Sequence, residues 1–156
     1  MRRKDRQRSE EFAWAVTDSC GWAVLSCVQP DGTPYSVPLS IAREGGRVYF
    51  HCAEEGRKTE ALRSNPKVCL SCVGDTNPAQ DDFSMEYESA ILFGTAALVE
   101  EREEKIHGLR LISQRYTPFK MKDFDRVIEA ALDHTAVWRI DVESITGKAR
   151  PGLVVK

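Results

Sequence analysis

The chain has 156 residues, of which 42% are hydrophobic and 29% are charged, as expected of one globular domain. Its net charge of −2 provides no general attraction to nucleic acid or to an anionic membrane surface. No apolar run approaches the roughly 20 residues that a membrane-spanning helix needs, and the basic start lacks the apolar segment of a secretory signal. We therefore expect a single cytoplasmic domain over residues 1–156, without nucleic-acid or membrane partners.

The helix and strands predicted for the first third of the chain are joined by tight turns. Phe12, Ala15 and Val16 share one face of a helix over residues 8–19. Strands are expected at residues 21–28, 35–42 and 47–52, with turns at residues 29–34 and 44–46. Pro38 indicates that the second strand either lies at a sheet edge or contains a bulge. A bulge would free backbone groups at residues 37–40 to face a ligand.

A short helix predicted at residues 57–64 begins with two cations, Arg57 and Lys58, directly after Gly56. A helix N-terminus carries partial positive charge, so cations in its first turn are unfavourable unless an anion lies nearby. Glu54 and Glu55 offset this charge in part, and a bound phosphate would offset it better. Two interpretations remain open at this point: an anion site, or a solvated basic pair on a surface helix.

The sequence pattern of the second half of the chain predicts two long strands, two helices and a final strand. The strands are expected at residues 67–74 and 83–100, with a loop at 75–82, and Gly94 indicates a bend or a close backbone approach. Helices are expected at 101–116 and 123–132, the second with Asp123 as N-cap. The last strand is expected at 134–142, followed by a basic, glycine-containing tail.

The five cysteines are odd in number and follow no signal peptide, which favours free thiols in a reducing compartment. Cys69 and Cys72 have the spacing of a metal site, but they lie in a predicted strand, where residues three apart point to opposite faces. We therefore expect structural thiols and no metal site.

Together the elements predict a mainly β (α+β) fold, a six-stranded antiparallel split β-barrel with peripheral helices. Tight turns between consecutive strands imply antiparallel pairing, and about six strands favour a closed or half-closed barrel over an open sheet.

Seven sequence segments, in this order and at this spacing, resemble those of the split-barrel flavin-binding proteins related to pyridoxamine 5′-phosphate oxidase. The similarity is greatest to the nitroimidazole-resistance branch. The resemblance extends over nearly the whole chain and includes the segments Met1–Arg6, Asp31–Ser40, Val48–Ala53, Gly56–Lys58, Asn65–Val68, Tyr87–Ser89 and Ile145–Lys148.

The resemblance implies a homodimer with flavin mononucleotide (FMN) in each of two clefts between subunits. It would place the FMN phosphate at Arg57 and Lys58. It would place the flavin ring along Val37, Pro38, Leu39, Ser40, His51, Cys52 and Ala53. The candidates for closing the cleft from the partner subunit are Glu88, Ser89 and Trp138, and the basic tail near Lys148 and Arg150 is a further candidate for a phosphate.

The function implied by the resemblance is that of an FMN-dependent oxidoreductase, with nitroaromatics such as 5-nitroimidazoles as candidate substrates. The sequence shows no counterpart of the residues that bind pyridoxal phosphate in the oxidase itself. The alternatives are a flavin-binding or redox-sensing module without turnover, and a haem-binding split barrel with His51 as axial ligand.

His51 is the candidate catalytic residue. Strand alternation places it on the face opposite Phe50, so that it faces the cleft if Phe50 faces the core. There it would orient substrate or pass a proton, since imidazole titrates near neutral pH. The alternative is a structural histidine that hydrogen-bonds a carbonyl. No such role is expected of His107 or His134.

Overall fold

Eight strands form a single antiparallel sheet in the computed structural model, which describes residues 2–80 and 83–150. The strands are β1 (Gln7–Arg8), β2 (Ala23–Val28), β3 (Pro34–Leu39), β4 (Ala42–Glu44), β5 (Arg47–Cys52), β6 (Lys67–Pro78), β7 (Met85–Leu98) and β8 (Ala136–Ala149). Their order across the sheet is β3-β2-β6-β7-β8-β5-β4, with β1 paired to β8. The predicted antiparallel α+β fold is confirmed, but the expected count of six strands was too low.

One of the additional strands arises because the strand that the sequence predicted over residues 35–42 is interrupted. β3 ends at Leu39, β4 begins at Ala42, and the two strands are the opposite edges of the sheet. Pro38 lies in β3 and has no N–H to donate, which suits an edge strand. Ser40 and Ile41 therefore cross from one edge to the other, so the barrel is split at this point and the sheet is not closed.

The strands β6 and β8 are longer than predicted. Of the loop expected at 75–82, residues 75–78 are strand, because β6 continues to Pro78 beyond an irregularity between Val73 and Thr76. Residues 81 and 82 of that loop lie outside the described residues. The expected basic tail likewise lies in β8, which runs to Ala149. Polar residues can form these extensions because the backbone of the neighbouring strand pairs with their main-chain N–H and C=O groups, whatever the side chain.

The close approach predicted at Gly94 is confirmed. A Cβ atom on this residue would lie only 2.4 Å from the carbonyl oxygen of Asp141. The pairing of β7 with β8 shifts register between Phe93 and Gly94. Only glycine allows the two strands to come this close.

Four helices accompany the sheet: α1 (Glu10–Ser19), α2 (Arg57–Ser64), α3 (Arg102–Tyr116) and α4 (Phe124–Ala131). Ser9 caps α1 by accepting from the Phe12 N–H at 3.2 Å, and Glu101 caps α3. Asp123 occupies the N-cap position of α4, as predicted, but its side chain makes no capping hydrogen bond. A 3₁₀ helix at Pro118–Asp123 leads directly into α4 and replaces the cap. No helix among residues 2–80 and 83–150 is long and apolar enough to span a membrane.

Hydrophobic residues are buried on both faces of β5. Phe50 belongs to the inner core, which packs against α1 and α2, whereas Tyr49 belongs to an outer core beneath α3 and α4. These two neighbours are 0% and 1% exposed, so the strand lies between two layers.

Two residues at the end of α3 form hydrogen bonds with the backbone of the segment that connects β3 to β4. The hydroxyl of Tyr116 accepts from the Ile41 N–H at 3.1 Å and lies 3.0 Å from the Ile41 carbonyl oxygen. The guanidinium of Arg115 donates to the carbonyl oxygens of Ile41 (2.8 Å), Cys20 (2.6 Å) and Thr17 (3.2 Å). Side chains therefore satisfy the backbone where strand pairing stops.

Candidate functional site

The N-terminus of α2 is not capped by any side chain. Gly56 occupies the N-cap position with φ of +131°, a conformation that other residues rarely adopt. Its carbonyl accepts from the Glu60 N–H at 3.0 Å and from the Thr59 hydroxyl at 2.7 Å, so Thr59 does not cap the helix. Within the described ranges, no acceptor contacts the N–H groups of the first turn, which remain available to a ligand.

The two cations of this turn lie near different aromatic rings. The guanidinium carbon of Arg57 lies 5.8 Å from the ring centroid of Tyr35 on β3. The ammonium of Lys58 lies 5.5 Å from the ring centroid of Phe50 on β5. In the part of the chain that the structure describes, no carboxylate lies within salt-bridge distance of either cation.

A cavity of about 210 Å³ lies between these side chains. It is lined by Tyr35, Cys52, Ala53, Glu55, Gly56, Arg57, Lys58 and Thr59. Four of the predicted cofactor residues are therefore brought together here: Cys52, Ala53, Arg57 and Lys58.

Lys58 also influences the two residues that end β5. Burial raises the pKa of the Cys52 thiol, and the neighbouring Lys58 ammonium opposes this in part. The pKa of His51 is lowered, first by desolvation of the covered part of its ring and then by the charge of Lys58. His51 therefore favours the neutral imidazole at neutral pH.

The outer face of β3, β2, β6 and β7 is apolar or small over most of its area, and the charged Lys67 lies at its margin, paired with Glu143. We call it the outer sheet face, and it consists of Pro34, Ser36, Pro38, Val24, Ser26, Val28, Cys69, Ser71, Val73, Ser89, Ile91 and Phe93. Its larger side chains are exposed, with Val73 at 51% and Phe93 at 52%. An exposed apolar surface of this extent is typical of an interface.

The comparisons with known proteins identify the family. Residues 9–149 match the family model described as pyridoxamine 5′-phosphate oxidase. This chain belongs to that family.

Three known proteins are similar to this chain. An uncharacterized protein of Rhizobium meliloti is 26% identical over 151 residues, which are 92% of this chain and 94% of that protein. A structure from Bacteroides thetaiotaomicron, named for 5-nitroimidazole antibiotic resistance, is 26% identical, with a TM-score of 0.76 over 91% of this chain and 84% of that one. The flavocytochrome Anf3 of Azotobacter vinelandii is 25% identical, with a TM-score of 0.83 over 100% of this chain and 74% of that one.

The predicted site residues of β3 do not line the 210 Å³ cavity. Val37 is half-buried against the inner core, and Leu39 is buried within it. Pro38 is exposed on the outer sheet face, and Ser40 is half-buried at the split. Their contact with a flavin ring stays a prediction.

The other predicted site residues also lie apart from that cavity. His51 is exposed on the strand face opposite Phe50, as strand alternation predicted. Glu88 lines a separate cavity of about 200 Å³ beside Cys20, and the Ser89 hydroxyl donates to the Lys148 carbonyl oxygen at 3.4 Å. Trp138 is 2% exposed in the inner core, and its indole N–H has no hydrogen-bond partner among the described residues. Their proposed roles near the cofactor stay predictions.

Tyr35 and Thr59 are cavity residues that the sequence interpretation missed. Tyr35 was recognisable in principle, because alternation places it on the same face of β3 as Val37. Thr59 carried no such signal, since a threonine in a helix usually serves only the helix backbone.

Proposed function

We propose that the chain is an FMN-binding oxidoreductase whose FMN phosphate binds at the N-terminus of α2. One observation carries the proposal: an uncapped helix N-terminus, flanked by the unpaired cations Arg57 and Lys58, opens onto a cavity. When bound, FMN supplies electron transfer chemistry that amino-acid side chains cannot.

The chemistry of this turn fits a phosphate. Free N–H groups at a helix N-terminus and the helix dipole both favour an anion. Arg57 and Lys58 would add charge-assisted hydrogen bonds from two sides of the cavity. Cys52 and Ala53 lie at the same cavity and would contact the part of the flavin beyond the phosphate.

One protomer provides too small a cavity for the whole cofactor. The cavity measures about 210 Å³, whereas pockets for ligands of this kind are roughly 300–1,000 Å³. The rest of the flavin must be covered by another surface, which we propose is a second copy of the chain.

The proposed homodimer would bury the outer sheet face, because its uncharged, partly apolar residues suit a self-complementary interface. Phe93→Glu should therefore produce a monomer in sedimentation velocity and lose flavin. The matched control is Phe119→Glu, since Phe119 is 73% exposed and lies outside this face. A parent protein that sediments as a monomer with stoichiometric FMN would contradict the homodimer.

His51 is proposed to serve the reaction by holding the substrate or delivering a proton. Reduction of a nitro group consumes protons, and a positioned acid typically contributes about 10²–10⁴-fold. Because its pKa is lowered from the usual 6.5, the protonated form is scarce at neutral pH. Turnover through this acid should therefore increase as the pH falls toward that pKa.

Replacing His51 by alanine tests this role. The variant should retain its flavin and lose most reduction of a 5-nitroimidazole, whereas His107→Ala and His134→Ala should match the parent. Flavin content and turnover are measured on the same preparations. Reduction by His51→Ala at the parent rate, with full flavin occupancy, would show that His51 is not catalytic.

The similarity to a flavocytochrome gives haem binding as the second candidate. His51 is exposed and favours the neutral imidazole, the form that ligates iron. The visible spectrum of the purified protein separates the candidates. Flavin bands support the proposal, a Soret band with no flavin supports the alternative, and a spectrum without either contradicts both. Flavin bands without turnover of any nitroaromatic would indicate a flavin-binding module.

A further inference from the structure

A second cavity, of about 310 Å³, lies where the end of α3, the 3₁₀ helix at Pro118–Asp123 and α4 meet. We call it the α3–α4 cavity, and all of its lining residues fall between Ser113 and Ile128. Its volume is at the lower end of the range of roughly 300–1,000 Å³ that is usual for small-molecule sites. It shares no lining residue with the 210 Å³ cavity at α2, so the two cavities are separate.

One part of the α3–α4 cavity is apolar. Met121, Phe124, Val127 and Ile128 line it. Phe124 is buried in the outer core, and Met121 and Ile128 pack against that core. Val127, in contrast, is 48% exposed. An apolar group in the cavity would remove the Val127 side chain from water, which is favourable in proportion to the area covered.

The polar part of the lining carries more positive than negative charge. It contributes the cations Lys120 and Arg126 and a single carboxylate, that of Asp123. Arg126 lies 3.8 Å from Asp123, which is too far for a hydrogen bond. The ammonium of Lys120 has no ion-pair partner among residues 2–80 and 83–150. The cavity therefore presents two cationic donor groups that an anion could use.

Other cations on the same pair of helices are neutralised by the protein itself. Arg110 of α3 donates to Asp125 of α4 at 2.8 Å, and Arg102 of α3 donates to Glu129 of α4 at 2.7 Å. Asp125 and Glu129 are the two carboxylates of α4, and both are engaged with α3. They therefore leave the excess positive charge at the cavity without a partner.

We propose that the α3–α4 cavity binds a small organic anion with an apolar body, such as an aryl-substituted or short-chain carboxylate. The apolar body would lie against Met121, Phe124 and Val127. The carboxylate would accept charge-assisted hydrogen bonds from Lys120 and Arg126. A ligand of the same shape with a positive charge would meet the same apolar wall but would be repelled by the two cations. The inference does not depend on flavin binding, because the two cavities share no residue.

Phenylbutyrate is a suitable probe, and phenylbutylamine is its counterpart of opposite charge. The isotope-labelled full-length protein is titrated with each compound, and the amide chemical shifts are followed by NMR. We expect saturable shifts within residues 113–128 with phenylbutyrate, with a dissociation constant of roughly 1 mM or tighter. The amine should bind weaker by on the order of tenfold or more. Shifts that do not saturate, equal binding of the amine, or shifts confined to the N-terminus of α2 or to the outer sheet face would overturn the proposal.

Charge variants test the role of the two cations. Lys120→Glu and Arg126→Glu should each weaken phenylbutyrate binding on the order of tenfold, since each removes a charged donor. Lys122→Glu is the matched control, because Lys122 lies on the same 3₁₀ helix but does not line the cavity. It should bind the probe like the parent. Equal weakening in all three variants would indicate a general effect of charge and would remove the site.

A substitution at Val127 tests the apolar wall. Val127→Asp places a carboxylate beside the proposed ligand and should abolish binding of phenylbutyrate. Met85→Asp is the control, because Met85 is 47% exposed on β7 and lies outside the cavity. Thermal unfolding checks that both variants are folded. Binding by folded Val127→Asp at the parent affinity would show that the probe does not occupy this cavity.

Discussion

Two helix ends differ in how their free backbone groups are satisfied. At the C-terminus of α1, the carbonyl oxygens of Thr17 and Cys20 both accept from the guanidinium of Arg115. At the N-terminus of α2, Gly56 provides no capping side chain, and the two nearest cations have no carboxylate partner in the described ranges. The first end is completed by a residue 95 positions along the chain, and the second has no side-chain cap.

This difference separates contacts that stabilise the fold from groups that would bind a ligand. A carbonyl satisfied by a half-buried cation contributes to the stability of the fold. Positive groups collected at an unsatisfied N-terminus destabilise the free protein slightly and become favourable once an anion binds. Substitutions at the α2 end should therefore change ligand affinity, and substitutions at the α1 end should change stability.

The largest effect is expected from the double variant Arg57→Ala/Lys58→Ala. FMN binding should weaken by roughly 1.5–3 kcal/mol for each charged hydrogen bond lost, which is more than tenfold in affinity. Arg57 should account for the larger share, because a guanidinium can contact two phosphate oxygens. Flavin fluorescence titration and urea unfolding are compared, with Arg63→Ala in the last turn of α2 as control. Unchanged affinity would mean that these cations are only solvated.

The next largest effect is expected from Arg115→Met. Removing the guanidinium leaves the Thr17 and Cys20 carbonyls without their donor, which should lower the free energy of unfolding by roughly 2–5 kcal/mol. Urea denaturation measures the loss, and flavin affinity of the folded fraction should stay close to that of the parent. Arg110→Met is the control, because its exposed ion pair with Asp125 should contribute less than about 1 kcal/mol. Equal losses in both variants would contradict the role of Arg115.

A smaller effect on both quantities is expected from Gly56→Ala. With φ of +131°, an alanine there should cost on the order of 1–2 kcal/mol. The strained turn would also displace the free N–H groups, so FMN affinity should fall together with stability. Gly21→Ala is the control, because it has space for a Cβ and no positive φ. If Gly56→Ala reduces stability alone, the backbone of this turn does not contact the phosphate.

The smallest effect is expected from removing the ion pair between Glu104 and Arg139. Glu104 accepts from Arg139 at 2.8 Å and from the Tyr49 hydroxyl at 3.0 Å, and the Arg139 bond is the main cause of its lowered pKa. The stabilisation is present above the unfolded pKa near 4.5 and is lost as the pH falls through the lower folded pKa. Glu104→Gln should therefore cost about 1 kcal/mol at pH 7 and nothing in strong acid. A difference that persists unchanged in acid would contradict this assignment.

The local pattern of the sequence determined most secondary structure. Alternation in β5 predicted that Phe50 and His51 point to opposite faces, whereas the charge order at residues 57 and 58 left open an anion site or a solvated basic pair. These features depend on neighbours within a few positions, which is the range over which propensity and periodicity act.

Contacts between distant residues were decided only by the tertiary structure. The break between β3 and β4 depends on Arg115 and Tyr116, more than 70 positions further along the chain. The extension of β6 to Pro78 depends on pairing with β7, and polar residues such as Thr76 and Asn77 give no sign of it. Local sequence limits each element, but only the packing of distant elements determines which of their groups satisfy one another.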